Sequence, residues 1–165
     1  MNLEKRISAF VTLGKRLSLY LDELKNTSEP ASAHVQQLAM LINTAKQYNG
    51  WFTPEAVLQS FEAIADNLHA DSLSKWLETY TIQTESPKKV GVIMAGNLPL
   101  VGFHDFLCVM MSGHRFVGKL SSQDSKLLPF LVEMLIEIAP EIKADIEFTE
   151  RLDNIDAVIA TGSNN

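Results

Sequence analysis

Cysteine is almost missing from this sequence, with Cys108 the only one. A lone cysteine forms no internal disulfide and builds no two-cysteine zinc site, which fits a reducing compartment. Basic residues are also scarce: Lys and Arg number 14 against 20 Asp and Glu, a formal net charge of −6. Surfaces that neutralise a phosphate backbone are strongly basic, so nucleic acid is not an expected partner. Nor is there a clean apolar run long enough for a membrane. Val90 to Met111 has the length, but it contains Asn97, Pro99, His104 and Asp105. One central aspartate costs about 2.5–3.5 kcal/mol to insert, so no membrane span is expected. Met1 to Arg6 does not lead into the apolar stretch of a secretory signal, and the expectation is a cytoplasmic protein.

What remains is ordinary globular composition, with 46% hydrophobic and 21% charged residues among 165. Disordered and collagen-like classes are excluded. No repeat is evident, and the pattern changes near Pro87. Before it the periodicity is helical. Leu3, Ile7, Phe10, Leu17, Leu21 and Leu24 mark one stripe of a long amphipathic helix, with Gly14 where another apolar residue would fit. A second helix carries Val35, Leu38, Ile42 and Ala45. A third opens at Thr53-Pro54, a capping hydroxyl followed by proline, and buries Val57, Phe61, Ile64 and Leu68. A short fourth helix follows Asp71 and ends near Tyr80.

After Pro87 short apolar runs alternate with helical stretches. Lys89 to Ala95 predicts a strand buried on both faces. Gly96-Asn97-Leu98-Pro99 breaks it, and a helix follows from about Leu100 to Ser112, with Gly113 suited to its cap. Arg115 to Leu120 predicts a second strand. A helix from about Ser125 to Ile138 follows, with Ser121-Ser122-Gln123-Asp124 offering caps and Pro140 just beyond. Asp145 to Phe148 reads as a weak strand and Asp156 to Ala160 as a stronger one. This rhythm implies an α/β fold in which the helical region, 1–86, packs on an incomplete Rossmann-like parallel sheet formed by 87–165. In such sheets ligands bind beyond the carboxyl ends of the strands. A sheet stopping at Asn165 would leave an exposed edge, so the expectation is the front part of a longer protein.

Familiar nucleotide and metal signatures are missing: there is no Gly-x-Gly-x-x-Gly, no phosphate loop ending in Gly-Lys-Ser/Thr, and no His-Glu-x-x-His. His34, His69, His104 and His114 lack metal-ligand spacing, so no metal is expected. Three other blocks stand out. Val90 to Leu100 resembles the first cofactor-domain strand and turn, Gly-Val-Ile then Asn-x-Pro, of the aldehyde dehydrogenase superfamily. Ser112-Gly113-His114-Arg115-Phe116-Val117-Gly118-Lys119 resembles its next block, and Ile155 to Ser163 its third. Within that superfamily, Gly102-Phe103-His104-Asp105-Phe106 and Ala160 to Asn165 are most similar to the bacterial long-chain acyl-CoA reductases, the bioluminescence-type fatty acyl reductases.

That resemblance implies roles residue by residue. Asn97 matches the asparagine whose amide stabilises the oxyanion when a cysteine thiolate attacks an acyl carbonyl. Met94 and Gly96 fall in the strand end and turn beside the cofactor. Lys119 matches the lysine that reaches the adenosine ribose. Ser122 stands where NAD-preferring members place a glutamate; a serine there tolerates a 2′-phosphate, so the implied cofactor is NADPH. Gly162 and Ser163 match the turn that brings a helix amino end to the pyrophosphate. Between His114 and Lys126 three cations, Arg115, Lys119 and Lys126, face one carboxylate, Asp124, a local balance of +2. Read from the residues alone, Asn97 is an ordinary turn former, Lys119 a solvated strand-end lysine, and Ser122 a helix cap.

Cys108 lies inside an apolar helix and reads as a small buried hydrophobe rather than a nucleophile. The family's catalytic cysteine follows the Thr-Gly-Ser block, so this chain alone is expected to be inactive. The implied substrate is an acyl-CoA or other acyl thioester, with homo-oligomers forming through elements outside this chain. Alternatives within the enzyme class are a general aldehyde dehydrogenase and an acyl-phosphate reductase. From another class, the alternative is a non-catalytic nucleotide-binding or interaction module.

Overall fold

A computed structural model describes residues 1–27, 32–82 and 86–160. Helix α1 spans Leu3–Asn26 and starts where the Asn2 side chain accepts a hydrogen bond from the Lys5 amide at 2.9 Å. Its apolar stripe buries Phe10, Leu13, Leu17 and Leu21. The expectation that Gly14 leaves room for another apolar residue is corrected. A Cβ there would stand 2.7 Å from the Leu68 Cβ and 3.3 Å from the Ala65 carbonyl oxygen. Glycine is what lets α1 lie directly against α3, Pro54–Asn67. Between them in sequence runs α2, Ala33–Thr44, capped by Ser32. Thr53 caps α3 with Pro54 in its first turn, as the sequence predicts, and α4 follows at Ala70–Leu77.

The second half alternates as expected. Strands β1 (Lys89–Ile93), β2 (Arg115–Lys119), β3 (Ile146–Phe148) and β4 (Ala157–Ala160) form one sheet in the order β3-β2-β1-β4. Every neighbouring pair is parallel. Helix α5, Phe103–Ser112, joins β1 to β2, and α6, Leu127–Ile138, follows β2. The chain is therefore α/β, with helices packed on a four-stranded all-parallel sheet. Its strand order is that of the first four strands of a doubly wound, Rossmann-like sheet, whose connections reverse direction between β1 and β4.

Some boundaries differ from the periodicity, and α4 already ends at Leu77 rather than near Tyr80. Strand β1 stops at Ile93, short of Ala95. Helix α5 starts at Phe103 instead of near Leu100, because Leu100 takes a left-handed φ of 59°. Helix α6 starts at Leu127 with Lys126 at its cap position, so neither Ser121 nor Ser122 caps it. The other end of α5 follows the sequence: Gly113 is left-handed, and its amide and that of His114 bond back to Met110 and Val109.

One cluster of buried side chains runs from α1 through the sheet to Ile142. An aromatic series ties the layers together. Phe10 on α1 meets Phe106 on α5 at 5.8 Å between ring centres, Phe106 meets Phe116 on β2 at 4.9 Å, and Phe116 meets Phe148 on β3 at 5.9 Å. The last two pairs are edge-on, and such pairs add about 0.5–1.5 kcal/mol each beyond the area they bury. Among the described residues no helix is long and apolar enough to cross a membrane. The Val90 to Met111 run is divided into a strand, a turn and a helix.

Candidate functional site

Parallel pairing brings the carboxyl ends of β1 and β2 side by side, with Ile93 opposite Lys119. Just past the ladder the Met94 amide donates to the Lys119 carbonyl at 3.1 Å. The two turns that follow, 94–102 and 120–126, are therefore neighbours. Every predicted site residue within the described chain falls on this end of the sheet. Gly162 and Ser163 lie outside the described residues.

The turns are locked to each other. Gly96 is buried, and a Cβ on it would meet the Ser121 hydroxyl at 2.2 Å. No other residue allows this approach. The Gly96 carbonyl accepts a 2.7 Å hydrogen bond from the side chain of Asn49, a buried residue just after α2. On the other side, the Asp124 carboxylate accepts from the Leu100 amide at 2.8 Å, which holds Leu100 in its left-handed conformation. Burial raises the Asp124 pKa, while the Leu100 and Leu127 amides oppose that rise.

Within this frame the predicted residues divide into two groups. Asn97, Lys119 and Ser122 are exposed, and none of the three has a side-chain hydrogen bond among the described residues. Met94 and Gly96 are buried and serve the turn itself. The Met94 side chain packs beneath the start of α5, with its sulfur 2.9 Å from where a Cβ on Gly102 would stand. Only backbone groups of Met94 can therefore face a cofactor. Asn49 and Asp124 carry the frame, and the sequence pointed to neither for this purpose. Asp124 was expected only as a helix cap, and Asn49 had no signal because its partner lies 47 residues away.

Cys108 is half-buried on α5, its sulfur 3.5 Å from His104 Nε2. Burial, and then the nearby Asp105 carboxylate, raise its pKa above the ordinary thiol value. The sulfur is thus held as a thiol, which is a poor nucleophile. It lines an open cavity of about 400 Å³ with Trp76, Tyr80 and Met111, between α4 and α5. His114, expected in the second block, accepts the Lys88 amide at Nδ1 and braces the entry to β1.

No protein-family model, curated protein or solved structure matches this chain. The site is therefore argued from its own geometry and from the motif resemblance.

Proposed function

We propose that this chain is the cofactor-binding front part of an NADPH-dependent acyl-CoA reductase of the aldehyde dehydrogenase superfamily, converting fatty acyl thioesters to aldehydes. The observation that carries the reading is the pairing of Ile93 with Lys119. It puts the Asn97 turn and the Lys119–Ser122 turn at the same end of a sheet ordered β3-β2-β1-β4. Sheets of this order bind dinucleotides there.

The residues present fit the adenosine half of the cofactor. Lys119 offers an exposed cation and Ser122 an exposed hydroxyl, whereas the nearby carboxylate of Asp124 is turned inward onto the Leu100 amide. A 2′-phosphate would meet a cation and a hydroxyl donor there, which favours NADPH over NADH. When bound, the reduced nicotinamide supplies the hydride. The chain's own part is to hold and polarise. The exposed Asn97 amide, unengaged among the described residues, can donate to an acyl oxygen as negative charge gathers on it, and losing one such donor costs about 100–1000-fold in turnover. The locked turns on either side fix the backbone that carries it, so little reorganisation is needed as the charge develops. Cys108, held as a thiol, does not supply the attacking thiolate; on this reading the nucleophile belongs to further sequence.

Titrating NADPH and NADH separately against the chain, followed by cofactor fluorescence or calorimetry, tests this. The expected result is preferential NADPH binding that Lys119→Ala weakens by about tenfold, the scale of one charge-assisted contact. Equal binding of both cofactors would remove the role given to Ser122. Failure of either to bind, repeated on the native gene product, would overturn the reading.

A further inference from the structure

At the opposite end of the sheet, where β1 and β2 begin, a cavity of about 230 Å³ opens beside the first turn of α1. Asn2, Leu3 and Arg6 line it from α1, and Ile82, Pro87 and Gly113 from the chain around the strand starts. Arg6 is unusual here. The residue is only 7% exposed, and among the described residues its buried Nε has no hydrogen-bond partner. Its nearest carboxylate oxygen, on Asp145, is 3.8 Å from Nη2, which is an ion-pair distance but too long for a hydrogen bond. Asp145 is also shared: Arg115 Nε lies 3.9 Å from its other oxygen. One carboxylate thus stands between two guanidinium groups, leaving an excess positive charge.

A guanidinium has five N–H donors and no acceptor. A buried donor left unpaired is costly, and more so when it is charged. Burial lowers the Arg6 pKa, with Asp145 pulling the other way. The amino end of α1 adds to the demand for negative charge. Asn2 satisfies the Lys5 amide, but the first amides of a helix have no partner within it, and its dipole favours an anion there. The one first-turn carboxylate, on Glu4, is exposed to solvent.

We infer that this cavity is a binding site for a small oxyanion, a phosphate or carboxylate group, gripped by the Arg6 fork with the amino end of α1 behind it. The planar fork matches two oxygens of either group. The site is separate from the turns at the carboxyl ends of the strands, and it stands whether or not the reductase reading does.

The test is a titration of the full chain at constant ionic strength, with chloride exchanged for inorganic phosphate, acetate or glycerol phosphate. The readout is the arginine Nε–H NMR signals. The signal lost in Arg6→Lys should move in wild type and saturate with phosphate or acetate, and Arg6→Lys should bind about tenfold more weakly, because a fork becomes a point charge. Tighter binding of glycerol phosphate would assign an organic phosphate, and equal binding free phosphate. A signal that follows ionic strength alone, with no saturation by any of the three anions, would overturn the inference and leave water as the partner of Arg6. If Arg6→Lys does not fold, the Arg6 Nε–H signal is assigned in wild type through its connection to the Arg6 backbone resonances, and its saturation or failure to saturate decides the matter.

Discussion

On one face of the sheet Val90, Val92 and Phe116 are 7%, 0% and 0% exposed, whereas on the other Ile93 and Val158 keep 41% and 55% of their surface. Alternation and parallel register assign these faces. Val90 sits beside Phe116 and Ala157, and Gly91 beside Val117 and Val158. The covered face receives the aromatic series from α1 and α5. The other face is covered around Gly91, where the side-chain tips of Leu152 and Ile155 lie, and at Val117, which is buried, but is open at Ile93 and Val158. Parallel sheets are ordinarily buried on both sides. The contrast teaches that stability is concentrated on one side of this sheet, while Lys119, opposite Ile93 at the strand end, stands on the less covered side.

Three substitutions would break or sharpen that contrast, each measured by urea unfolding. Phe116→Ala, on the covered face, should cost about 3–5 kcal/mol, since the ring is fully enclosed by Phe106 and Phe148 and its removal leaves a cavity. Gly91→Ala, on the other face, should cost about 1 kcal/mol. Its Cβ would meet the Ile155 Cδ1 at 2.7 Å and the Leu152 Cδ1 at 3.0 Å, both ends of side chains that can turn aside. Val158→Thr, where the side chain is mostly in water, should change stability by less than about 0.5 kcal/mol. A loss at Val158 comparable to that at Phe116 would mean that the second face is covered in solution.

Much of this fold was legible because local signals agreed with tertiary ones. Thr53-Pro54 starts a helix, Gly113 ends one, and the apolar runs after Pro87 are strands, each where the pattern places it. The failures share a cause. Gly14 reads as a missing apolar residue until Leu68 is seen against it. Leu100 reads as the start of a helix until a carboxylate 24 residues later claims its amide. Asn49 and Asp124 hold the site through partners that no window of sequence contains. The exposed residues Asn97, Lys119 and Ser122 are nominated by motif resemblance alone. The buried ones that position them needed the fold, because their role is set by what they touch.

Strand β4 pairs with β1 alone among the described strands, and the Lys89 amide that meets the Asp156 carboxylate lies 67 residues earlier in the chain. Bringing such distant segments together must be accomplished before their contacts repay it, and the entropy of closing so long a loop falls on this pairing. Little of β4 is buried, since its residues are exposed except Ile159, which is half-buried. The sheet is therefore expected to acquire this strand last as the protein folds and to release it first. Its amides would then exchange with solvent through local opening, while those of β1 and β2 wait for the whole domain to unfold.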